Sequence, residues 1–347
     1  MRRNMMNHRQ PQGRRNTVNK KKLGIFMMIP LALLAANIFL LLRIEAQIKN
    51  ANNTLNQLNV LRIEKEGEVQ PDDSTVIQDI KDKKPQEYMA ASGDTAVTGK
   101  LDYVSLCGLS KVDKPMERSY REVLTRLSEL GEENAVIAQI FKDSESYPEK
   151  LLEALANNPE MADFVENYHE KKGQVEGGLT DEEKQQDYPL FLQWDPRWGY
   201  AQYGDESIIG LSGCGPTCLS MVLYYLTKDE TLTPDKIAEY SMENGYYLAG
   251  TGTMWSLLEE LPPRYGVTVS QPETYEWTMK SELDKGNILI CSMGAGDFTA
   301  GGHFIVIYGY DENGFKVNDS NCVARSRQSW SYKQIERQIK HIWSFGI

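Results

Sequence analysis

Residues 212–226 read SGCGPTCLSMVLYYL and place one cysteine at the beginning of an apolar segment. Gly213 and Gly215 flank Cys214 and are expected to free the backbone on both sides of it. Pro216 suits the first turn of a helix. The apolar residues that follow recur at three- and four-residue spacing, which predicts a helix with one buried face. Cys214 is therefore predicted to lie at the amino end of a buried helix.

The predicted position of Cys214 favours nucleophilic chemistry. The thiolate is the reactive form of cysteine, and the partial positive charge at a helix amino terminus stabilises it. Such a nucleophile needs a base within hydrogen-bond reach and a group that orients the base. Three of the four histidines have no site-like setting: His8 in a basic tail, His169 in a charged helix, and His341 at the end of the last helix, predicted over residues 333–340. His303 is therefore the candidate base.

His303 follows two glycines and begins a β-branched and aromatic run, residues 304–308, that is typical of a buried strand. Residues 311–314 then indicate a turn that returns the chain as a second, paired strand. Asp319 lies at the end of that second strand. Because a hairpin brings its two open ends together, His303 and Asp319 are predicted to be neighbours, as a base and its orienting acid must be.

Four stretches of the chain resemble the papain-like cysteine peptidases related to bacteriocin leader (double-glycine) processing enzymes, cysteine peptidase family 39 in its broad sense. They are QWDPRWG at 193–199, GCGPTCLSMVL at 213–223, FTAGGHFIVIYGY at 298–310 and VNDSN at 317–321. The resemblance spans residues 188–347. It implies a papain-like fold in which Cys214 attacks a peptide carbonyl, His303 transfers the proton and Asp319 holds the imidazole.

The resemblance also implies an oxyanion donor ahead of the nucleophile. In this family that donor is a glutamine, and Gln193 is the residue that looks similar. Its spacing differs, since 21 positions separate Gln193 from Cys214 where many relatives have only a few. Residues 194–210 would therefore have to loop out.

Chain length and charge limit the domain organisation and the kinds of partner that can be expected. The 347 residues leave room for two compact units, and residues 1–44 carry nine basic residues and no acid. The remaining chain carries 29 basic residues against 49 acidic ones, so nucleic acid is not expected as a partner. In the carboxy-terminal part, predicted helices come first and strands follow. That order indicates the α+β class.

Residues 23–42 read LGIFMMIPLALLAANIFLLL and contain no charge. A helix of this length crosses a hydrocarbon core of roughly 30 Å, and its positive flank should stay in the cytoplasm. We therefore predict a basic cytoplasmic tail over residues 1–22, a membrane anchor over residues 23–43, and an extracellular remainder. A cleaved signal peptide and a buried core helix are the competing interpretations. The apolar run is long for a signal peptide and continues past the alanine pair at 35 and 36.

The segment between the anchor and the peptidase-like part divides by composition. Residues 44–100 are predicted to form a flexible tether that begins with an amphipathic helix, residues 44–58, a candidate for weak self-association. Residues 101–175 carry four apolar stripes at helical spacing and predict a small all-α segment that packs on itself or on the enzyme domain. Its role is either a spacer or an element that covers the cleft. Residues 176–187 are the predicted linker, and residues 188–347 the predicted peptidase domain.

The five cysteines give no metal or disulfide pattern, since their number is odd and no CxxC occurs. We therefore expect no metal, no cofactor and mostly free thiols. Cys218 is predicted to be a small buried hydrophobic residue. The nucleotide-binding motif GxxxxGK[ST] is also missing from the sequence, so the chain is not an exporter and leader processing is not assumed.

The sequence thus predicts a membrane-anchored extracellular cysteine peptidase that hydrolyses a peptide or amide bond through a thioester acyl-enzyme. Two alternatives remain open: a cell-wall peptide amidase or endopeptidase with the same triad, and a catalytically silent papain-like module that binds ligands at the cell surface. Each residue also has a structural interpretation. Cys214 could have no role beyond beginning a helix, His303 could simply cap a strand, and Asp319 could be a turn residue. In the last case Asn318 is the rival orienting group.

Overall fold

The computed structural model describes Leu106 and residues 112–347, all of which belong to one compact unit. The predicted cytoplasmic tail, membrane anchor and tether, residues 1–100, lie outside the described residues. Within the described part, no helix combines the length and apolarity needed to span a bilayer.

The amino-terminal part of the described chain is helical, as its apolar stripes predict. Its helices are α1 Tyr120–Gly131, α2 Ala135–Lys142, α3 Glu149–Asn157, α4 Ala162–Glu166 and α5 Tyr168–Lys171, with 3-10 turns at Ser144–Ser146 and Pro159–Met161. Polar side chains begin the first two helices. Ser119 caps α1 in a capping box with Glu122, and Asn134 caps α2. We call α1 to α5 the helical bundle.

The helical bundle packs on the carboxy-terminal domain and not only on itself. Leu127 and Phe164 are buried in a hydrophobic cluster that continues into Trp194 and Tyr200. The rings of Phe164 and Tyr200 stack with centroids 4.3 Å apart. The Tyr200 hydroxyl also donates a hydrogen bond to the Phe164 carbonyl. The two parts of the chain therefore share one core.

The predicted linker, residues 176–187, is partly ordered by a buried ion pair. It contains the short helix α6, Asp181–Lys184, begun by a capping box between Thr180 and Glu183. The Glu183 carboxylate is buried and lies 2.7 Å from the guanidinium of Arg197, which also pairs with Asp195. Removing one partner would leave an uncompensated buried charge, so this segment is bound to the peptidase-like domain.

The carboxy-terminal domain opens with helices that surround the predicted nucleophile. They are α7 Ile209–Ser212, α8 Cys214–Thr227, α9 Pro234–Glu243 and α10 Ser256–Glu260, and the later ones are α11 Glu276–Asp284, α12 Val323–Ser326 and α13 Tyr332–Ile335. A 3-10 turn covers Pro262–Tyr265. Residues 215–225 of α8 are all buried. The prediction of a single buried face is therefore wrong for α8, because the sheet and other elements enclose it.

Six antiparallel strands follow in the spatial order β3-β8-β4-β5-β6-β7. Their bounds are β3 Thr268–Ser270, β4 Ile288–Met293, β5 His303–Asp311, β6 Gly314–Asp319, β7 Ser329–Trp330 and β8 Ile339–Gly346. A separate small hairpin pairs β1 Tyr247–Leu248 with β2 Gly252–Thr253. Along β5, Phe304 and Val306 join the α8 core, while Ile305 and Ile307 join the core that contains Met279 of α11. The chain is thus of mixed helix and sheet class, as predicted.

The helix predicted over residues 333–340 is wrong beyond Ile335. The chain turns there and forms β8, which pairs with both β3 and β4. His341 therefore lies on a strand opposite Ser292. The residues of β8 are rich in β-branched and aromatic side chains, and pairing on both edges outweighs the helical pattern of the preceding turn.

Candidate active site

The two glycines that flank Cys214 are explained by close packing. Gly213 has an ordinary φ of −89°, and Gly215 is not among the described residues with positive φ. A Cβ atom at Gly213 would lie 2.6 Å from the Ile209 carbonyl oxygen, and one at Gly215 would lie 2.6 Å from Thr253 Oγ1. The expectation that these glycines free the backbone is therefore wrong. They let α7 and the β1–β2 hairpin approach the start of α8.

The structure brings together the three residues predicted as nucleophile, base and acid. Cys214 is half-buried at the first position of α8. The imidazole of His303 lies beside the Cys214 thiol and lowers its pKa, and its Nε2 atom lies 2.7 Å from Asp319 Oδ1. Because Nε2 is bound to Asp319, Nδ1 is the ring nitrogen available to the thiol.

The hairpin of β5 and β6 explains how His303 meets Asp319. His303 begins β5, and Asp319 ends β6 opposite Ile305. The two residues are 16 positions apart in sequence, and the turn at 311–314 returns the chain in register. Both side chains are buried, and Asp319 is completely so. Their bond is therefore shielded from water, which strengthens it.

Asp319 is fixed by further hydrogen bonds that sequence reasoning missed. Its Oδ1 accepts from the backbone N–H of Asn321 at 2.8 Å. Its Oδ2 lies 3.4 Å from the guanidinium of Arg325, which is buried. The Asp319 backbone N–H donates to the Ser326 hydroxyl at 2.8 Å. No sequence pattern identified Arg325, because its role depends on a six-residue return of the chain.

The rival orienting group, Asn318, is turned away from the imidazole. Its Nδ2 donates to the hydroxyl of Tyr225 at 2.8 Å and to the Tyr188 carbonyl at 3.2 Å. Neighbouring residues on a strand point to opposite faces of the sheet. The strand geometry therefore selects Asp319 over Asn318 as the partner of His303.

The side chain of Gln193 connects Gly210, which precedes the nucleophile, to Ser320, which follows the predicted acid Asp319. Its Nε2 donates to the Gly210 carbonyl at 3.0 Å, and its Oε1 accepts from the Ser320 hydroxyl at 3.3 Å. Of residues 194–210, which were predicted to loop out, 194–208 form turns and bends with an isolated bridge between Gln202 and Ile208, and 209–210 begin α7. One of the two Nε2 protons is committed to Gly210, which leaves the other as the candidate donor to an oxyanion.

The electrostatics of the site favour a thiolate–imidazolium pair. Burial alone would raise the pKa of the Cys214 thiol, but the hydrogen bond and charge of His303 outweigh it and lower that pKa. Burial would likewise lower the pKa of His303, but the charge and hydrogen bond of Asp319, together with Cys214, raise it to about 10. Burial would also raise the pKa of Asp319, yet His303 and Arg325 lower it.

The other cysteines of the described residues differ from Cys214 in being completely buried. Cys218, Cys291 and Cys322 are free and completely buried, and burial raises the pKa of each thiol. Cys218 is thus the buried small residue predicted. Cys107 lies outside the described residues. Within the described part, no cluster of three or more His, Cys, Asp or Glu side chains could hold a metal ion.

Comparison with known proteins finds one matching family model. The family model described as Peptidase_C39 like family matches residues 185–344, under half of the chain. Among solved structures, the chain is similar to a crystal structure from Bacillus anthracis assigned as a C39-like peptidase, with 14% identity and a TM-score of 0.31 over 46% of this chain and 94% of that chain. No curated protein matches the chain. Residues 185–344 are thus similar in sequence to the peptidase C39-like family.

Proposed function

We propose that the chain is a cysteine peptidase in which Cys214 is the nucleophile, His303 the acid and base, and Asp319 the group that orients the imidazole. The observation that carries this proposal is the series of interacting side chains Asp319, His303 and Cys214: Asp319 Oδ1 lies 2.7 Å from His303 Nε2, and His303 lowers the pKa of the Cys214 thiol. The series ends at the only one of the described cysteines that is partly exposed. A nucleophile needs this combination of an adjacent base, an oriented base and access to substrate.

In the acylation step, Cys214 Sγ attacks the carbonyl carbon of the peptide bond, and the carbonyl oxygen becomes an oxyanion. Gln193 Nε2 is the proposed side-chain donor to that oxyanion. The C–N bond then breaks, and the imidazolium of His303 gives its proton to the departing amine. The products are the free amine and a thioester between Cys214 and the acyl group.

In the deacylation step, the neutral imidazole of His303 takes a proton from a water molecule that attacks the thioester carbonyl. The C–S bond breaks, the thiolate of Cys214 is restored and the carboxylic acid leaves. Asp319 stays ionised throughout, because the positive charge that forms on His303 stabilises it. One water is consumed for each bond cut.

We propose that this peptidase works on the outer face of the cell, held by an anchor at residues 23–43. The support is the uncharged run at 23–42 behind a basic tail. The substrate is a peptide or protein. Protease added to intact cells should remove an epitope at the carboxy terminus and spare one at the amino terminus. Protection of both epitopes would contradict this placement.

The function is tested with the purified chain and a mixed peptide library, read by mass spectrometry. The wild-type protein should generate new peptide termini, and Cys214→Ala should generate none while still binding library peptides. Asn318→Ala is the matched control, because its side chain contacts Tyr225 and Tyr188. Cleavage by Cys214→Ala would refute the assignment of the nucleophile.

The same assay separates the two alternatives. Release of fragments from cell-wall peptides alone, with the peptide library intact, would identify a cell-wall amidase or endopeptidase. Binding without turnover of either substrate by the wild-type protein would identify a catalytically silent module.

A further inference from the structure

One acidic residue of the helical bundle is bound to the segment that carries Asp319. We call residues 319–326 the acid loop. Glu160 lies in the 3-10 turn Pro159–Met161, and only 2% of its surface is exposed. Its Oε2 accepts from the backbone N–H of Val323 at 2.7 Å, and its Oε1 accepts from that of Ala324 at 2.9 Å. One carboxylate therefore holds two consecutive amides of the acid loop.

Asn158 provides a second connection from the bundle to the acid loop. Its Nδ2 donates to the carbonyl of Asn321 at 2.5 Å, while its Oδ1 accepts from the backbone N–H of Glu160 at 3.2 Å. Asn158 thus fixes both Glu160 and the loop. The indole N–H of Trp194 donates to the same Asn321 carbonyl at 2.9 Å.

The residues that these contacts hold are also those that orient Asp319. The Asn321 carbonyl is held by Asn158, and the Asn321 N–H donates to Asp319 Oδ1. Val323 and Ala324 begin α12, which carries Arg325 and Ser326 towards Asp319. A displacement of the acid loop would therefore move the carboxylate away from His303.

Burying Glu160 is costly, which argues that it does more than fill space. A buried carboxylate must recover its lost hydration from hydrogen bonds. Here the donors are two backbone amides, while burial and, to a smaller extent, the negative charge of Asp319 raise the pKa of the Glu160 carboxyl. An apolar side chain could fill the same volume but would leave two buried N–H groups unsatisfied.

We propose that Glu160 is a positioning residue for the triad: by binding the amides of Val323 and Ala324, it sets the acid loop so that Asp319 meets His303. This inference rests on the proposed function and deepens it. The 3-10 turn Pro159–Met161 then supports the triad, which is more than the role of a spacer.

Glu160→Gln in the full chain tests the proposal. Glutamine has one acceptor oxygen, and its NH2 group would face the second amide, so the acid loop must shift. We expect kcat to fall between about 10-fold and 100-fold, with KM little changed, as for misplacement of a catalytic group. The pH midpoint for alkylation of Cys214 by iodoacetamide should also rise towards that of an ordinary thiol.

Leu127→Ala is the matched control for stability. Leu127 is completely buried in the bundle, and none of the acid-loop contacts described above involves it. This variant should lower the melting temperature while leaving kcat and the Cys214 alkylation midpoint unchanged. If Glu160→Gln behaves like Leu127→Ala, Glu160 has a structural role alone and the proposal is overturned.

Two further measurements keep the test decisive. Glu160→Asp retains both carboxylate oxygens on a shorter side chain, so it should recover part of the alkylation shift, and it replaces Glu160→Gln if that variant does not fold. Alkylation requires no substrate. If the wild type cuts no peptide but Glu160→Gln still shifts the Cys214 midpoint, the proposed function fails and the positioning role stands.

Discussion

Cys214 and His303 change how the folded protein binds protons. The pKa of His303 is raised from 6.5 to about 10, and that of Cys214 is lowered from 9.0. Because His303 then has the higher pKa of the two, a single proton shared by the folded pair lies on the imidazole. Between about pH 6.5 and pH 8.5 the unfolded chain also holds one proton, on the thiol. Equal proton numbers mean that the pair adds no pH dependence to stability in this window.

Cys214→Ala should make stability depend on pH. Asp319, the larger of the two groups that raise the pKa of His303, remains in the folded variant and keeps that pKa raised without the share of Cys214, whereas the unfolded chain loses the proton above its ordinary pKa of 6.5. The stabilisation is complete below 6.5 and lost as the pH rises towards the folded pKa. The melting temperature of the variant should therefore fall between about pH 7 and pH 8.5, relative to the wild type. If the melting temperatures of the two proteins changed with pH in the same way, the assignment of His303 as an imidazolium would be contradicted.

Asp319→Asn should lower kcat by about 100-fold or more, because the amide neither stabilises the imidazolium nor fixes the ring tautomer. Steady-state kinetics on any peptide that the wild type cuts provide the measurement. Asn318→Ala is the neighbouring control and should keep near wild-type kcat. A larger loss in Asn318→Ala than in Asp319→Asn would reverse the assignment of the orienting group.

At the residue scale, the role of a side chain could be predicted where the surrounding sequence has a recognisable pattern. Cys214 has a helix start, and His303 and Asp319 have a hairpin, so their meeting could be predicted. Arg325 and Glu160 could not, since the role of Arg325 depends on a six-residue return of the chain and that of Glu160 on how two distant segments face one another. Glu160 is 163 positions from Val323, to which it is bound.

The approach of the β1–β2 hairpin to α8 is the element-level feature that surrounds Cys214. The Thr253 hydroxyl lies against Gly215 and also bonds to the buried Tyr203 hydroxyl at 2.8 Å. The sequence analysis singled out Gly215 for backbone freedom, whereas the structure shows that close packing requires a glycine there. Glycine can be kept for backbone freedom or for space, and only the position of the hairpin distinguishes the two.

Gly215→Ala should destabilise the protein by about 1–3 kcal/mol, as overpacking of a filled core does. Its Cβ would have to displace Thr253 and the Tyr203 bond. Gly301→Ala is the control, since a Cβ there meets nothing within 4 Å. Denaturant unfolding of both variants measures the difference. Equal free energies of unfolding in the two variants would show that the β1–β2 hairpin can move aside without loss of stability.

Strand β8 shows why one element was mispredicted. Residues 333–340 resemble a short helix in isolation, and α13 does form at Tyr332–Ile335. Beyond it, β4 and β3 offer partners on both edges of the chain. Tertiary pairing of this kind is not visible in a local pattern, so element boundaries near a central strand are difficult to predict.

At the scale of the whole molecule, the helical bundle and the carboxy-terminal domain share a core. The apolar stripes of the bundle predict buried faces but do not name the partner. Val323, in the acid loop, belongs to the same cluster as Leu127. The division of this region into a helical segment, a linker and a peptidase domain is thus a division of sequence and not of the hydrophobic core.

The shared core predicts one cooperative unfolding transition for the described region. In scanning calorimetry, Leu127→Ala should shift that transition as a whole, by about 2–5 kcal/mol of stability for a buried leucine. The carboxy-terminal tryptophans and the helical signal should melt together in the wild type. A bundle that melts separately, at a lower temperature, would contradict a common core.

The central claim is that His303 activates Cys214, and the pH dependence of alkylation tests it most directly. The purified chain is treated with iodoacetamide at mildly acidic pH, and the adducts are mapped by mass spectrometry. We predict that Cys214 reacts first, at a pH well below the usual thiol pKa of about 8.5, and that His303→Ala abolishes this preference. Equal labelling of Cys214 in the wild type and in His303→Ala would contradict the account.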